Sequence, residues 1–258
     1  MTDLIKRTEL NTEFISEILH FSDLGSTNSF AKKMVLKENK HGFVIISKTQ
    51  TSGYGQRGNF WESPPGGLWC SIAIKPEINP KSIGLIPILC ALSVAKALKS
   101  YNIATRLKWP NDILYSDNNK KLGGILVEGK VSPGFIEYLI IGIGLNVNNS
   151  LEQFSLPLRG SITSILEISK NKLRLSELLC KVVKFLEEGL IIMKRGEEKQ
   201  ILSEWKEWDN ILGRKAIITS NNIEYEGAVK DLTVFGQLIL ELADGRKITF
   251  SSGTLTLV

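Results

Sequence analysis

The segment GYGQRG, Gly53 to Gly58, fits the pattern G-x-G-x-x-G, which binds a pyrophosphate when a strand precedes it and a helix follows at once. A strand is predicted upstream, over residues 42–47, from β-branched and apolar residues between turn formers. No helix can begin downstream, because Pro64 and Pro65, followed by two glycines, fix φ, remove donors and raise backbone entropy. The glycines therefore lie in a loop between two strands, and a dinucleotide site is disfavoured.

A second segment with chemical potential is KWPND, Lys108 to Asp112, which directly follows a predicted strand. Pro110 fixes the backbone where the strand ends, and Asn111 and Asp112 then offer oxygen acceptors at a turn. The same residues also build an ordinary Asx-turn. The spacing alone does not choose between a site and a turn.

Two further segments place glycine pairs inside apolar strands. KKLGGILVEGK begins its apolar part at Lys121 and contains Gly123 and Gly124, which weaken a strand and usually mark the close approach of a backbone or a ligand. A lysine at the start of such a strand either meets an anion or is a solvated edge residue. IGIGLNVN interrupts its apolar side with Asn146, which is either a hydrogen-bonded core residue or a ligand contact.

The elements that must position these segments mix helices and strands up to about residue 200. Apolar residues at i, i+3, i+4 and i+7 predict an amphipathic helix over residues 175–196, and a short helix is expected to hold Trp205 and Trp208. Further helices are predicted over STNSFAKKMVLKEN and after Pro80, and strands over residues 42–48, 68–75 and between 104 and 147. This pattern predicts an α+β fold with a mixed central β-sheet packed against helices.

The pattern of apolar residues changes near the C-terminus. From Leu212 onward short alternating strands replace the helices, and Asp244-Gly245 is a strong hairpin signal. These features predict a small all-β domain of barrel type. We place the boundary after Trp208, which gives domains over residues 1–208 and 209–258.

Composition and charge restrict the class of protein. With 43% hydrophobic and 23% charged residues the chain has the composition of a soluble globular protein, and its net charge of +5 suits nucleotides, an acidic protein or nucleic acid. Charged residues in MTDLIKRTEL argue against a signal peptide, and the apolar segment over residues 83–95 is too short to span a bilayer, so a cytoplasmic protein without membrane binding is expected. Three widely spaced cysteines favour reduced core thiols, and the two histidines predict no zinc site.

Five segments, in their order and spacing, together resemble the biotin protein ligases. They are STN at Ser26–Asn28, QTSGYGQRGNFW at Gln50–Trp61, KWPND at Lys108–Asp112, KLGGILVE at Lys121–Glu128 and GIGLN at Gly142–Asn146. The C-terminal strands resemble the SH3-like domain of that family, so the likeness covers nearly the whole chain from about His20. The resemblance implies ATP and Mg²⁺ as cofactors, biotin as substrate and a biotin carboxyl carrier protein domain as acceptor.

In this family biotin carboxylate attacks the α-phosphate of ATP, giving biotinyl-5′-adenylate and pyrophosphate, and an acceptor lysine then attacks the acyl carbon and releases AMP. The resemblance assigns catalysis to Lys121, Arg57 and Asp112. It assigns biotin binding to Ser26, Thr27, Asn28, Gln50, Gly53, Tyr54, Gly55, Lys121 and Gly124, and ATP or adenylate binding to Gln56, Arg57, Gly58, Trp61, Lys121 and Asn146. Asp112 either holds Mg²⁺ or takes the proton of the acceptor amine.

Two positions depart from the family's pattern, because the commoner loop begins G-R-G-R and this chain has Tyr54 and Gln56 in the arginine positions. Two alternatives stay open: a lipoate ligase of the same fold, whose R-R-x-x-G-G-G-x-V-x-H-D signature is absent here, and a biotin-sensing regulator without catalysis. About 20 residues precede the first core element, too few for a helix-turn-helix module, so no DNA binding is expected. Dimerisation is common among relatives, which makes a homodimer a candidate assembly.

Overall fold

A computed structural model describes Leu10 and residues 12–258, and its larger β-sheet is mixed, as predicted. The strands of this sheet are β1 (Glu17–Leu24), β2 (Phe43–Gln50), β3 (Leu68–Ile74), β4 (Thr105–Lys108), β5 (Asp112–Tyr115), β6 (Lys121–Ser132) and β7 (Phe135–Leu145). They lie in the order β1-β2-β3-β7-β6-β5-β4, with β1 parallel to β2 and the other neighbours antiparallel. The segment GYGQRG lies between β2 and β3, so the prediction of a loop between strands is confirmed.

The helices largely follow the predicted pattern. They are α1 (Thr27–Glu38), α2 (Ile86–Lys99), α3 (Leu156–Arg159), α4 (Ile165–Ser169), α5 (Leu175–Lys194) and α6 (Glu198–Lys206). The helix α1 begins where the side chain of Ser26 accepts a hydrogen bond from the backbone N–H of Ser29. The expectation that Trp208 lies in a helix with Trp205 is wrong, because α6 ends at Lys206 and the Trp208 carbonyl instead accepts a hydrogen bond from the backbone of Leu107.

The helix α2 lies at the centre of the core. With the preceding 3₁₀ turn it forms an apolar segment, Pro80–Lys99, that is long enough to cross a membrane by length and composition. In the protein 72% of the most apolar stretch of this segment is buried, so the predicted buried helix is confirmed. The expectation that the segment is too short to span a bilayer is wrong by length, because the helical segment extends beyond residues 83–95. At Gly189 of α5 the backbone lies against Leu89 of α2, and an added Cβ would overlap Leu89 Cδ1.

The C-terminal residues form the predicted antiparallel β-sheet. Its strands β8 (Lys215–Ser220), β9 (Ile223–Leu232), β10 (Leu238–Glu241), β11 (Lys247–Phe250) and β12 (Thr254–Leu257) lie in the order β11-β10-β9-β8-β12. The predicted hairpin joins β10 to β11, with Gly245 at a φ of 83°. The boundary after Trp208 and the SH3-like character of this sheet stay predictions.

The C-terminal sheet packs against the turn between β4 and β5. The indole of Trp109 in this turn is 2% exposed, and its Nε1 donates a hydrogen bond of 2.9 Å to the carbonyl of Gly236. The backbone N–H of Leu107 donates to the carbonyl of Trp208 over 2.7 Å. Because an unpaired buried donor is costly, these bonds fix the turn relative to the C-terminal sheet.

The contact between α2 and α5 gives a stability prediction. We expect Gly189→Ala to lower the free energy of unfolding by about 1–3 kcal/mol, because the new methyl group must displace Leu89 in a close-packed core. Helix propensity acts in the opposite direction by at most about 1 kcal/mol.

Gly160→Ala is the matched control for this change, because an added Cβ at Gly160 meets no atom within 4 Å and its φ is −71°. Urea titration of both variants measures the difference. Equal stability of the two variants would contradict the assigned packing.

Candidate active site

The polar segments identified from the sequence converge on one face of the larger sheet. The N-terminus of α1, the end of β2, the β4–β5 turn, the start of β6 and the residue after β7 all contribute to one cavity of about 350 Å³. Thirteen of the sequence-predicted site residues line it, namely Ser26, Thr27, Asn28, Gln50, Tyr54, Gly55, Gln56, Arg57, Trp61, Asp112, Lys121, Gly124 and Asn146. Predicted site residues up to 120 positions apart in the sequence, from Ser26 to Asn146, therefore share one site.

Gly53 and Gly58 are the two predicted site residues that do not line this cavity. An added Cβ at Gly53 would lie 2.6 Å from the carbonyl oxygen of Trp61, so Gly53 is needed where the loop folds back on itself. Gly58 has a φ of +76°, which a glycine adopts without strain, and it ends the short helical turn at Gln56. Both glycines shape the loop from outside the cavity.

Uncharged side chains that hydrogen-bond to one another form one end of the cavity. The side-chain oxygen of Gln50 accepts hydrogen bonds from the backbone N–H of Thr27 at 2.8 Å and from its hydroxyl at 3.1 Å. The Nε2 of Gln50 donates to the hydroxyl of Ser63 at 2.8 Å, and the buried hydroxyl of Ser71 lies 2.7 Å from that of Thr27. Because each group is held by another, this end presents fixed neutral donors and acceptors.

A charged group occupies another part of the cavity wall. The Nζ of Lys121 lies 2.6 Å from Oδ1 of Asp112 and 5.1 Å from the centre of the Trp61 ring. The two charged side chains are 32% and 22% exposed, so an incoming anion can reach the lysine. While this ion pair is intact, Lys121 competes for the oxygen that Asp112 would use to hold a metal or to accept a proton.

Lys108 is a charged residue of this wall that the site prediction missed, although it belongs to the KWPND segment. Burial lowers the pKa of its ammonium group, the nearby Asp112 partly restores it, and the like charge of Lys121 lowers it again. An anion bound beside Lys108 would favour its charged form and raise this pKa again. The sequence signal for Lys108 is its place as the first residue of KWPND, one of the five segments that carry the resemblance, at the end of β4.

Two buried polar atoms in the cavity lack a partner among the described residues. They are Nε1 of Trp61, a donor, and Oδ1 of Asn146, an acceptor. The amide nitrogen of Asn146 donates to the carbonyl of Thr163 at 3.0 Å, which fixes the orientation of its free oxygen. Since buried polar groups in proteins are nearly always hydrogen-bonded, the free oxygen of Asn146 indicates a place for a ligand atom, whereas Nε1 of Trp61 faces the backbone at Gly144.

The sequence comparisons agree with this arrangement. Residues 22–146 match the Biotin/lipoate A/B protein ligase family. This range contains every residue of the predicted site, from Ser26 to Asn146. Residues 22–146 thus form a domain of the biotin/lipoate A/B protein ligase family.

Relatives within this family align over most of the chain. The bifunctional ligase/repressor BirA of Bacillus spizizenii is 27% identical over 249 residues, which cover 95% of this chain and 76% of the relative. The human biotin–protein ligase is 33% identical over 156 residues, covering 57% of this chain and 21% of that protein. The structure of the biotin protein ligase of Aquifex aeolicus in complex with biotin and ATP superimposes with a TM-score of 0.78 at 27% identity, covering 95% of this chain and 99% of that one.

Tyr54, which replaces an arginine of the commoner family loop, pairs with Glu128. Its hydroxyl donates to Oε2 of Glu128 over 2.8 Å, and Nδ2 of Asn28 donates to the same oxygen over 2.8 Å. Burial raises the pKa of the Tyr54 phenol, and the neighbouring carboxylate raises it further, so the hydroxyl stays neutral. This member of the family therefore anchors its loop through a neutral hydroxyl and a carboxylate.

Arg57 links the glycine-rich loop to the C-terminal sheet. Its guanidinium donates to the hydroxyl of Thr254 at 2.7 Å and to the carbonyl of Thr219 at 3.1 Å. Thr254 and Thr219 are paired across strands β12 and β8, so Arg57 is hydrogen-bonded to both strands at the end of their pairing. Gly253, Thr254 and Leu255 also line the cavity, and no local sequence pattern indicated that these residues would reach it.

This link predicts how the loop responds to a single change. Thr254→Val removes the hydroxyl that accepts from Arg57 and keeps the side-chain volume, so the loop should open more often. We expect trypsin to cleave after Arg57 about three to ten times faster, the effect of losing one exposed charge-assisted hydrogen bond.

Thr256→Val is the control, because Thr256 lies on the same strand and the same exposed face but makes no contact with Arg57. Cleavage rates after Arg57 are followed by mass spectrometry. Equal rates in the two variants would show that the contact does not hold the loop.

Proposed function

We propose that the protein is a biotin protein ligase, which activates biotin with ATP to biotinyl-5′-AMP and transfers biotin to a lysine of a biotin carboxyl carrier protein domain. The observation on which this depends is the division of one cavity into a neutral end, at Thr27 and Gln50, and a cationic part, at Lys108 and Lys121. Biotin has the same two parts, a neutral ureido ring and a carboxylate. The likeness to a ligase solved with biotin and ATP supports the same reading.

The ureido ring has two N–H donors and one carbonyl acceptor, and all three must be paired when the ring is buried. The hydroxyls of Ser26 and Thr27 and the carboxamide of Gln50 can pair them, because they line the cavity as fixed donors and acceptors. Asn28 and Tyr54 complete this end through their common partner Glu128. The neutral end thus orients biotin with its carboxylate toward Lys121.

In the first step a carboxylate oxygen of biotin attacks the α-phosphorus of ATP, and the bond to the bridging oxygen breaks. Pyrophosphate leaves with that oxygen and its electron pair, and biotinyl-5′-AMP remains. Two anions must meet for this to happen, so fixed positive charge has to stand where the negative charge develops. Lys121 supplies this charge where the biotin carboxylate meets the α-phosphate, and Arg57 supplies it from the glycine-rich loop. Asn146 offers its unpaired Oδ1 to the nucleotide, and Trp61 also lines the cavity.

Magnesium ion fits Asp112, which together with Glu62 supplies the acidic side chains that line this cavity. Among the described residues no group of three or more His, Cys, Asp or Glu side chains could hold a metal by itself. Mg²⁺ is usually bound by one or two carboxylates together with substrate phosphates, and Asp112 would provide such a carboxylate. When bound, the ion would neutralise phosphate charge.

In the second step the amine of the acceptor lysine attacks the acyl carbon of the adenylate, and the bond to the phosphate oxygen breaks to release AMP. The attacking amine must lose a proton, and Asp112 can take it once Lys121 is engaged by phosphate. Glu62, the other carboxylate of the cavity, already accepts a hydrogen bond from the backbone N–H of Ser155. A homodimer, the absence of DNA and membrane binding, and a cytoplasmic location stay predictions from the sequence.

One assay tests this proposal. The protein is supplied with biotin, ATP and Mg²⁺, pyrophosphate release is followed, and biotin transfer to a purified carrier domain is then measured. We expect Lys121→Ala to slow pyrophosphate release on the order of a hundredfold or more, the typical cost of removing one electrostatic stabiliser of the transition state.

Lys120→Ala is the control, since the neighbouring Lys120 does not line the cavity. Equal loss of activity in both variants would contradict the assignment of Lys121 as the stabiliser of the transition state. Tight biotin binding without pyrophosphate release by the unchanged protein would identify a biotin sensor that has kept the pocket and lost the reaction.

The departure at Gln56 gives a second prediction. Gln56 lines the cavity but has no charge to offer the adenylate phosphate, so the intermediate should leave more readily than from a loop with arginine at this position. We expect Gln56→Arg to slow dissociation of biotinyl-5′-AMP by about tenfold, the effect of one added charge-assisted contact. Dissociation is measured by stopped-flow fluorescence of the bound intermediate, and an unchanged rate would overturn the prediction.

A further inference from the structure

Glu128 on β6 holds two residues of the neutral end from outside the cavity. Its Oε2 accepts hydrogen bonds of 2.8 Å from Nδ2 of Asn28 and from the hydroxyl of Tyr54. Asn28 and Tyr54 line the cavity, whereas the half-buried Glu128 does not. Glu128 therefore acts on a bound ligand through the residues that it holds.

The carboxylate of Glu128 decides which way the carboxamide of Asn28 faces. An ionised carboxylate only accepts hydrogen bonds, so the NH₂ group of Asn28 must face it. The Oδ1 of Asn28 then faces the hydroxyl of Ser71, which lies 2.6 Å away. Ser71 lies on β3 and is fully buried, so solvent does not reach its hydroxyl.

The single proton of each hydroxyl group decides the next links. The carbonyl oxygen of Asn28 can only accept, so the Ser71 hydroxyl donates its proton there. The Thr27 hydroxyl lies 2.7 Å from Ser71 and 3.1 Å from Oε1 of Gln50, and both of these oxygens accept from it. Glu128, Asn28, Ser71 and Thr27 thus form one hydrogen-bond chain in which every proton points toward Glu128. The Thr27 proton is used inside the protein, and its oxygen faces the cavity with lone pairs only.

The opposite proton order suits the inner members of the hydrogen-bond chain equally well. With its NH₂ group toward Ser71, Asn28 would donate to Ser71, and Ser71 would donate to Thr27. One lone pair of Thr27 would then be occupied, and its proton would be left for Gln50 or for the cavity. A hydroxyl in that state pairs poorly with a ligand N–H. The acceptor at Glu128 is what selects the first order over the second.

We propose that Glu128 is a positioning residue, which acts through Asn28 and Ser71 to make the Thr27 hydroxyl an acceptor for a ureido N–H of biotin. This inference rests on the ligase function proposed above. The ureido ring brings two N–H donors and one carbonyl group, so the neutral end must offer it more acceptors than donors. A ring without an N–H at this place would leave the Thr27 oxygen unpaired and is therefore rejected.

The test is a double-mutant cycle on biotin binding in the absence of ATP. Glu128→Met removes the acceptor and keeps a similar side-chain length, and Ser71→Ala breaks the hydrogen-bond chain between Asn28 and Thr27. In isothermal titration we expect Glu128→Met to weaken biotin binding about tenfold in the unchanged protein, the effect of one mispaired hydrogen bond, but at most about twofold in the Ser71→Ala background. The contact with Tyr54 is lost in both backgrounds, so the difference between the two effects reports on the chain.

A conservative variant and a matched control accompany the cycle. In Glu128→Gln both donors, Asn28 and Tyr54, select the amide oxygen, so the proton order is kept and biotin affinity should stay within about threefold. Glu137→Met is the control, because Glu137 is a hydrogen-bonded carboxylate of the neighbouring strand β7 that does not line the cavity. Its affinity for biotin should equal that of the unchanged protein.

Thermal unfolding of each variant confirms that it is folded. Equal effects of Glu128→Met in the two backgrounds would overturn the positioning role, as would a Glu128→Gln variant that binds biotin as weakly as Glu128→Met. Pyrophosphate release from biotin and ATP is followed separately. If the cycle shows coupling but the unchanged protein releases no pyrophosphate, the positioning role stands and the ligase proposal fails. Pyrophosphate release without coupling gives the reverse result.

Discussion

The ion pair between Lys121 and Asp112 is the interaction around which the charged part of the cavity is arranged. Asp112 stands directly opposite Lys108 in the pairing of β4 with β5, and Lys121 pairs with Leu114 where the register of β5 and β6 shifts. Strand pairing therefore brings two lysines to one carboxylate. Partly exposed ion pairs contribute at most about 1 kcal/mol to stability, so this one matters mainly for placing charge.

The backbone of the larger sheet makes this placement possible through its glycines. Gly144 of β7 leaves room for the indole of Trp61, since an added Cβ would lie 2.6 Å from Trp61 Nε1. Gly142, on the same face of β7, lies against the side chain of Asn28 in the same way. The loop and the start of α1 can thus lie directly on the sheet, and the ring of Trp61 lies under the ammonium group of Lys121. The glycine pairs recognised in the sequence mark close approach, as expected for glycines inside strands.

Local sequence patterns predicted most of the elements, because apolar periodicity and turn residues act over short distances. Pro64 and Pro65 were sufficient to place GYGQRG between strands, and the alternation after Leu212 was sufficient to predict an antiparallel sheet. Trp208 was misplaced because a hydrogen bond to Leu107, about a hundred residues away, decides where the chain turns after α6. The predicted site residues came from the resemblance to a family, and residues outside its motifs, such as Thr254 and Leu255, were missed. Their positions depend on how the C-terminal sheet packs on the β4–β5 turn, which no local pattern encodes.

The packing of the C-terminal sheet has a consequence for the order of events in the site. Trp109 anchors this sheet to the turn that precedes Asp112, and Arg57 connects it to the glycine-rich loop. Before ATP binds, Lys108 and Lys121 repel each other, with Asp112 as their shared counter-charge. The triphosphate of bound ATP relieves this repulsion more than the single phosphate of the adenylate does. The repulsion therefore returns in part when pyrophosphate leaves. The remaining adenylate phosphate then faces a site with surplus positive charge, which favours its retention until the acceptor amine arrives, even though Gln56 adds no charge from the loop.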